Sequence, residues 1–376
     1  MRLLLVVPHY PPALGGAELQ AERLARELDV AGVRVSVLTR PCAGEPLEET
    51  DRGIRIFRRL TTLPLGPLWG LTFMRSTGRW LRRLADEWDV VHNQQVGLHS
   101  WASVRTAVAL GKPCLLRFAC SGQGGDLATL KRRRFGDRLI EGLRGAGRLV
   151  ALTSSGAAEI VAHGLPAERT ITIPNGIDLQ TFSVQPWPHL LPSDPVRLLY
   201  VGRLDFQKGL DLLLDALGVL PRPDRFRLRI VGTGPELEAL RARAARSGLQ
   251  EIVEFCGIRR DITAEYAWSE VVVLPSRFEG MPNVVLEAMA CGRPVLGTRI
   301  PGTADLISDQ TCGWLVPAES SRALGETLSG IVAQREKLTA AGLEGRAIVA
   351  TRNSLKHVAS RYIREYEALL SSGTPP

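Results

Sequence analysis

No apolar run in this chain approaches the roughly 20 residues that crossing a bilayer requires. The opening stretch from Met1 to Pro8 is apolar, but it is short and no small-residue cleavage site follows at the right distance. It reads as a buried first strand rather than a secretory signal. None of the six cysteines (Cys42, Cys114, Cys120, Cys256, Cys291 and Cys312) forms a Cys-x-x-Cys pair, and no His-x3-5-His spacing accompanies them. That excludes a zinc framework and suits buried thiols in a reducing cytosol. A complete Gly-x-Gly-x-x-Gly is missing after the first strand, which argues against a dinucleotide-dependent oxidoreductase.

What is present is a globular composition, 45% hydrophobic and 23% charged. A length of 376 residues exceeds one ordinary core and suits two domains of roughly 150–200 residues each. The net charge of +8 is compatible with anionic lipid, phosphorylated small molecules or nucleic acid. It is spread along many segments, with no basic stripe and no nucleic-acid reading module, so no nucleic-acid partner is expected.

Short apolar runs alternate with amphipathic stretches. Strands are predicted at Leu3–Val7, Val33–Leu38, Val90–His92, Pro113–Phe118, Leu149–Leu152 and Thr170–Ile173. The rhythm repeats at Arg197–Val201, Arg227–Val231, Ile252–Phe255, Val271–Leu274 and Val295–Gly297. Strand, helix and strand without hairpin signals predicts parallel sheets covered on both faces. Residues 179–195, with Pro186, Pro188, Pro192 and Pro195, break the pattern and are expected to link a domain spanning 1–178 to one spanning 196–353. A last helix is predicted at 354–370, with disorder only from Ser371 to Pro376.

In doubly wound sheets ligands bind beyond the carboxyl ends of the strands. After Leu274 comes Pro-Ser-Arg-Phe-Glu-Gly-Met-Pro-Asn-Val-Val-Leu-Glu, residues 275–287. Pro282 is expected at the first helical position. The loop residues Gly280 and Met281 and the amides of Asn283, Val284 and Val285 would then face a diphosphate. Glu279 can reach a sugar, and Glu287, a pure acceptor, can take a ribose diol. After Val201, Gly202 permits close backbone approach, and Arg203 and Lys208 offer two cations to a departing diphosphate. Asp-x-Asp, the common metal clamp for such a group, occurs nowhere in the chain, so no metal is expected and the two cations are its natural substitute. Gly232-Thr233-Gly234-Pro235 ends another strand and packs its turn against the ligand or the neighbouring helix. Gly257 and Ile258 either bracket a nucleobase or form a plain turn. In the first half, Gly15 and Gly16 open a helix and let its amides approach a ligand.

Together these blocks resemble the GT-B glycosyltransferases, specifically the retaining family 4. The carriers are Pro-Pro-Ala-Leu-Gly-Gly-Ala-Glu (11–18), Ile-Pro-Asn-Gly-Ile-Asp (173–178) with Phe182, Gly-Arg-Leu…Lys-Gly-Leu (202–210), Val-Gly-Thr-Gly-Pro (231–235), the Glu-x7-Glu block (279–287) and Gly-Trp-Leu-Val-Pro (313–317). The resemblance implies an α/β chain of two Rossmann-like parallel-sheet domains facing a central cleft, with the final helix crossing back onto the first domain. It implies hexosyl transfer from a UDP- or GDP-linked sugar to a glycan or lipid-linked acceptor, in polysaccharide biosynthesis, with retained anomeric configuration and no other cofactor. The donor sits mainly on the second domain and the acceptor mainly on the first. Glu279 would steady the donor sugar while the leaving phosphate takes the acceptor proton. A non-transferring relative, such as a sugar-nucleotide epimerase or a phosphorylase, shares the same features.

One departure stands out. Relatives carry a histidine after the strand ending Leu115-Leu116-Arg117-Phe118, whereas this loop reads Ala-Cys-Ser-Gly-Gln-Gly-Gly-Asp, 119–126. Ser121 with the Gly122, Gly124 and Gly125 amides, or Arg117, are the candidates to replace it, and His92 is a further acceptor-side candidate. Finally, Leu65–Trp88 mixes Trp69, Leu71, Phe73, Met74 and Trp80 with Arg75, Arg79, Arg82 and Arg83, and Lys131–Arg134 adds a basic run. These read either as a core-packing helix with a solvated basic face or as a peripheral contact with anionic lipid at the inner face of the cell membrane.

Overall fold

The computed structural model describes residues 1–12, 15–63, 69–122 and 124–372. The chain divides into two compact units, Met1–Gly176 with Leu355–Pro376, and Ile177–Ser354.

The first unit runs β1 (Arg2–Val6), α1 (Gly16–Val30), β2 (Arg34–Thr39), β3 (Glu48–Asp51), β4 (Ile54–Arg58), α2 (Trp69–Arg83), β5 (Val90–Asn93), α3 (Leu98–Ala109), β6 (Cys114–Arg117), α4 (Asp126–Lys131), α5 (Gly136–Glu141), β7 (Arg148–Ala151), α6 (Ser154–Ala162) and β8 (Thr170–Thr172). Its sheet has the order β3-β4-β2-β1-β5-β6-β7-β8. All neighbours are parallel except β3 and β4. That edge hairpin differs from the expected strand-helix alternation. It turns at Arg52 and Gly53, both at positive φ, the geometry that a tight hairpin needs. Arg-Gly is a weak turn signal, and β3 is almost wholly charged and exposed, so no apolar run marks it.

The sheet is covered on both faces because its strands are apolar on both. Leu4 and Val6 of β1 feed one core with Phe73, Trp80 and Trp88. Leu3 and Leu5 feed another with Leu24 and Leu28 of α1. Each such leucine contributes about 1.5–3 kcal/mol by leaving water.

The second unit runs β9 (Val196–Val201), α7 (Leu210–Gly218), β10 (Phe226–Val231), α8 (Leu237–Arg246), β11 (Val253–Gly257), α9 (Ile262–Trp268), β12 (Val271–Leu274), α10 (Asn283–Ala290), β13 (Val295–Thr298), β14 (Gly313–Val316), α11 (Ser321–Ala333) and α12 (Leu338–Arg352). Its sheet, in the order β11-β10-β9-β12-β13-β14, is parallel throughout. The chain then returns to the first unit as α13 (Leu355–Ser371). Val358, Ala359, Tyr362, Tyr366 and Leu369 form the buried stripe of α13 and join the α1-side core.

The expected linker, 179–195, belongs instead to the second unit. Arginines strap it down. Arg346 donates to Leu179 and Phe182 carbonyls, Arg293 to those of Gln185 and Pro186, and Arg335 to those of Leu191 and Asp194. Proline-rich segments keep carbonyl acceptors while losing amide donors, so guanidinium forks suit them.

Candidate functional site

In the second unit the carboxyl ends of β9 and β12 bring two distant loops together. The chain after β9 passes Gly202 and enters a short 3-10 turn, Phe206–Lys208, ended by Gly209 at φ +63°. A Cβ on Gly209 would lie 2.2 Å from the Pro275 carbonyl oxygen after β12, so only glycine lets the loops approach this closely. Lys208 Nζ then donates to Glu279 Oε1 at 2.6 Å. Ser276 Oγ donates to the same oxygen at 2.7 Å. The Ser276 carbonyl is in turn held by Thr298 Oγ1 of β13. Glu279 is 7% exposed and the Lys208 side chain 18%, so the pair is largely withdrawn from water and its geometry is fixed from two sides. Next to it, Arg277 forks onto Asp211 at 2.8 and 2.9 Å. That fork holds the Asp211 carboxyl below the usual carboxylate range.

Arg203 is placed differently from Lys208. Its side chain is 69% exposed and bonds Asp205 at 2.5 Å, and its carbonyl accepts from Tyr200 Oη. The other Asp205 oxygen is buried with no partner among the described residues.

α10 starts at Asn283, and Pro282 caps it in an extended conformation (φ −72°, ψ 117°). Pro282 was expected as the first helical residue; it lies instead one position before it, as the cap, because its ψ is extended. Pro282 makes no side-chain cap bond, and the Val285 amide donates to the Pro282 carbonyl at 3.2 Å; of the three amides expected to face an anion, those of Asn283 and Val284 are the kind of donors that favour one. Gly280 and Met281 precede them, with the Gly280 carbonyl pressed against Gly302, where a Cβ would sit 1.8 Å away. Glu287 lies one turn further, 8% exposed, and accepts from Tyr266 Oη of α9 at 3.1 Å.

The Gly232–Gly234 turn packs against backbone. Added Cβ atoms would meet Gly202 O at 1.9 Å and Leu204 O at 2.2 Å. These glycines thus shape the loop that carries Arg203. Gly257 spends its carbonyl on the Gly232 amide, while Ile258 is 64% exposed.

The first unit uses its strand ends otherwise. His92 is fully buried, with Nδ1 2.7 Å from Tyr366 Oη and its ring near Tyr362. Burial, helped by the Arg117 charge, lowers its pKa to about 3. As an acceptor-side candidate His92 is therefore corrected: it is a neutral core histidine that seats α13. Arg117 is also buried; it donates to the Gln94 carbonyl at 2.8 Å and to Asn175 Oδ1, tying β5, β6 and the chain after β8. Asp126 caps the loop, accepting from Ala119 at 2.7 Å and Val96 at 3.4 Å, and burial raises its pKa to about 7. Ser121 is half-buried and the adjacent Gly122 amide donates to Glu159 at 2.7 Å; Gln123 lies outside the described residues. Gly15 caps α1 in extended backbone and Gly16 begins it, while Ala13 and Leu14 of that motif also fall outside the described residues. Residues 65–68 of the aromatic and basic stretch do so too.

Residues that motif reading passed over are Ser276, Tyr266, Asp205, Gln94 and Asp126. Ser276 lies three residues before Glu279 inside a singled-out loop. Asp205 likewise lies between Arg203 and Lys208, and Asp126 ends the 119–126 loop; Tyr266 and Gln94 come from separate elements and have no spacing signal.

Residues 14–181 match the model for Glycosyltransferase Family 4, and residues 195–334 match that for Glycosyl transferases group 1. D-inositol 3-phosphate glycosyltransferase of Pseudarthrobacter chlorophenolicus is 31% identical over 335 residues, 80% of this chain and 78% of the relative. Phosphatidyl-myo-inositol mannosyltransferase of Mycobacterium leprae is 29% identical over 100% of this chain and 98% of its own. Among solved structures, sucrose-phosphate synthase of Thermosynechococcus elongatus superposes with a TM-score of 0.83 at 23% identity over 99% of each chain. HepE of Anabaena in complex with UDP gives 0.79 at 20% identity over 98% of this chain and 100% of its own. The architecture is GT-B, and the chain belongs to glycosyltransferase family 4. It is an enzyme, a glycosyltransferase.

Proposed function

We propose that the enzyme transfers a hexosyl group from a nucleoside diphosphate sugar to a glycan or lipid-linked acceptor, with retention and without a metal. The observation that carries this reading is the Lys208–Glu279–Ser276 cluster beside the start of α10. The α10 amides and the Arg203 and Lys208 cations would hold the diphosphate and stabilise the charge it gains on leaving. Glu279, pinned from two sides, would steady the donor sugar as positive charge develops. Glu287, with Tyr266 fixing one oxygen, would take the ribose hydroxyls. Gly257 and Ile258 would border the base, and Gly15 and Gly16 would offer the backbone at the start of α1 to a ligand. Arg117 would position the acceptor loop around Ser121 through Gln94 and Asn175. UDP is preferred over GDP because HepE was solved with UDP and with UDP-glucose. No helix among the described residues is long and apolar enough to cross a membrane. We place the enzyme in the cytoplasm, in peripheral contact with anionic membrane through its first unit.

Thermal unfolding with UDP, GDP and ADP, with and without EDTA, tests the donor site. At about 100 times its dissociation constant the right nucleotide should stabilise the fold by about 2.7 kcal/mol. The shift should survive EDTA and shrink in Glu287→Ala. No shift with any nucleotide at millimolar concentration would sink the assignment.

A further inference from the structure

Three consecutive residues after β9 each meet the residue 71 positions further on, in the loop after β12. Arg277 Nη1 donates to the Phe206 carbonyl at 2.8 Å, Gln207 Nε2 to the Phe278 carbonyl at 2.8 Å, and Lys208 Nζ to Glu279 Oε1 at 2.6 Å. The Arg277 amide adds a backbone bond to the Gln207 carbonyl at 2.8 Å. The two loops therefore lie in register, and the Lys208–Glu279 pair is their last rung. Consecutive Cα atoms stand about 3.8 Å apart, so a slip of one residue would part the two charges.

Arg277 is what fixes this register. Its guanidinium forks onto Asp211 of α7 at 2.8 and 2.9 Å, and its Nε donates to Glu319, after β14, at 2.9 Å. The same group lies over the Phe206 ring at 4.0 Å. Its side chain is 7% exposed, so water competes little for these bonds. One planar, rigid fork thus ties the donor loop to α7, to the chain after β14 and to both the carbonyl and the ring of Phe206. The turn that carries Lys208 has little else to hold it. Phe206 is 64% exposed, Gln207 is half-buried, and no side-chain cap bond starts the turn. Lysine itself is a point charge on a flexible stem with three rotatable donors, so its aim is set from outside.

We infer that Arg277 is a positioning residue for the diphosphate. Through the Phe206 and Gln207 rungs it holds Lys208 where one ammonium proton meets Glu279 and the others face the terminal phosphate of the nucleotide. This rests on the donor-site reading above. The test is isothermal titration of the full chain with UDP and with UMP, which lacks the terminal phosphate (GDP and GMP where the guanosine pair is the one bound). Lys208→Met should weaken UDP by roughly tenfold to a hundredfold, the contribution of a hydrogen bond to a charged group, and UMP far less. Arg277→Met should weaken UDP by about tenfold and likewise spare UMP. Arg277→Lys should recover only part of the loss, because an ammonium cannot fork onto Asp211 and reach Phe206 together. The double variant Arg277→Met/Lys208→Met should bind UDP no more weakly than Lys208→Met alone, as expected of a residue that acts through another. Arg222→Met removes an exposed arginine of the same unit and controls for lost charge. Gln207→Leu cuts one rung and leaves Arg277 in place. It should weaken UDP by about threefold and spare UMP, and it carries the comparison if circular dichroism shows Arg277→Met unfolded. Equal losses for UDP and UMP, or additive losses in the double variant, would reduce Arg277 to a structural brace and overturn the positioning role alone. UDP binding untouched by Lys208→Met would overturn the assignment of Lys208 to the diphosphate and the role of Arg277 with it. No binding of either diphosphate by wild type would overturn the donor site itself.

Discussion

The two units share a parallel, doubly covered sheet, yet they treat the polar groups at their strand ends in opposite ways. In the first unit these groups are absorbed by the fold. His92, Arg117 and Asp126 are buried without a direct ion pair, held by backbone amides and carbonyls, Asn175 and the tyrosines of α13, and burial shifts all three from their ordinary titration. In the second unit they close on one another as ion pairs around glycine turns, Lys208 on Glu279 and Arg277 on Asp211. A buried single charge stabilises only through the hydrogen bonds that satisfy it. A glycine-lined pair next to a helix start is suited to receive an anionic ligand. Sharing one architecture therefore does not mean sharing a job.

The sharpest way to break this contrast is Glu279→Gln. If the second-unit pair acts on the donor, kcat should fall by about 10²–10³, roughly 2.7–4 kcal/mol, while the first unit melts unchanged. A variant with near wild-type kcat would reduce the pair to a structural clasp. The matching cut in the first unit is Arg117→Met. Removing the buried donors to Asn175 Oδ1 and the Gln94 carbonyl should cost about 1–3 kcal/mol each. That should appear in the first unit's unfolding transition, with the nucleotide-induced shift of the second unit retained. Loss of the nucleotide shift with no change in unfolding would reverse the roles assigned to the two units.

The smallest effect is in pH dependence, where two first-unit histidines, His92 and His99, oppose Asp126. His92 titrates at about 3 when folded and near 6.5 when unfolded. It therefore removes stability as pH falls below 6.5, about 2 kcal/mol by pH 5. Asp126 titrates at about 7 when folded and near 3.9 when unfolded. The folded state holds that proton more tightly, so Asp126 restores roughly as much over the same interval. His99, also buried and lowered to about 4, removes about a further 2 kcal/mol by pH 5. Wild-type stability of the first unit should therefore fall by about 2 kcal/mol from pH 7 to 5. His92→Phe should make it nearly flat, and Asp126→Asn should steepen the fall. Parallel pH curves for the two variants would break the account.

Much of this was legible from residues. The parallel strands announced themselves as apolar runs because both of their faces are buried. The residues after them stood out as glycines and charges where helices begin. The β3–β4 hairpin did not, since a charged edge strand has no apolar period to read. The segment 179–195 looked like a linker because prolines break periodicity. What holds it to the second unit is Arg293, Arg335 and Arg346, which donate from 108, 141 and 164 residues away.

By itself, the sequence determined which segments become strands, where each strand ends, and which residue types wait there, because burial and backbone freedom are local demands. Tertiary structure decided which of those residues meet. Lys208 and Glu279 stand 71 positions apart and His92 and Tyr366 stand 274 apart. No spacing rule links such partners. They are joined by the order in which strands pair, and strand order is settled by how the whole sheet covers its faces.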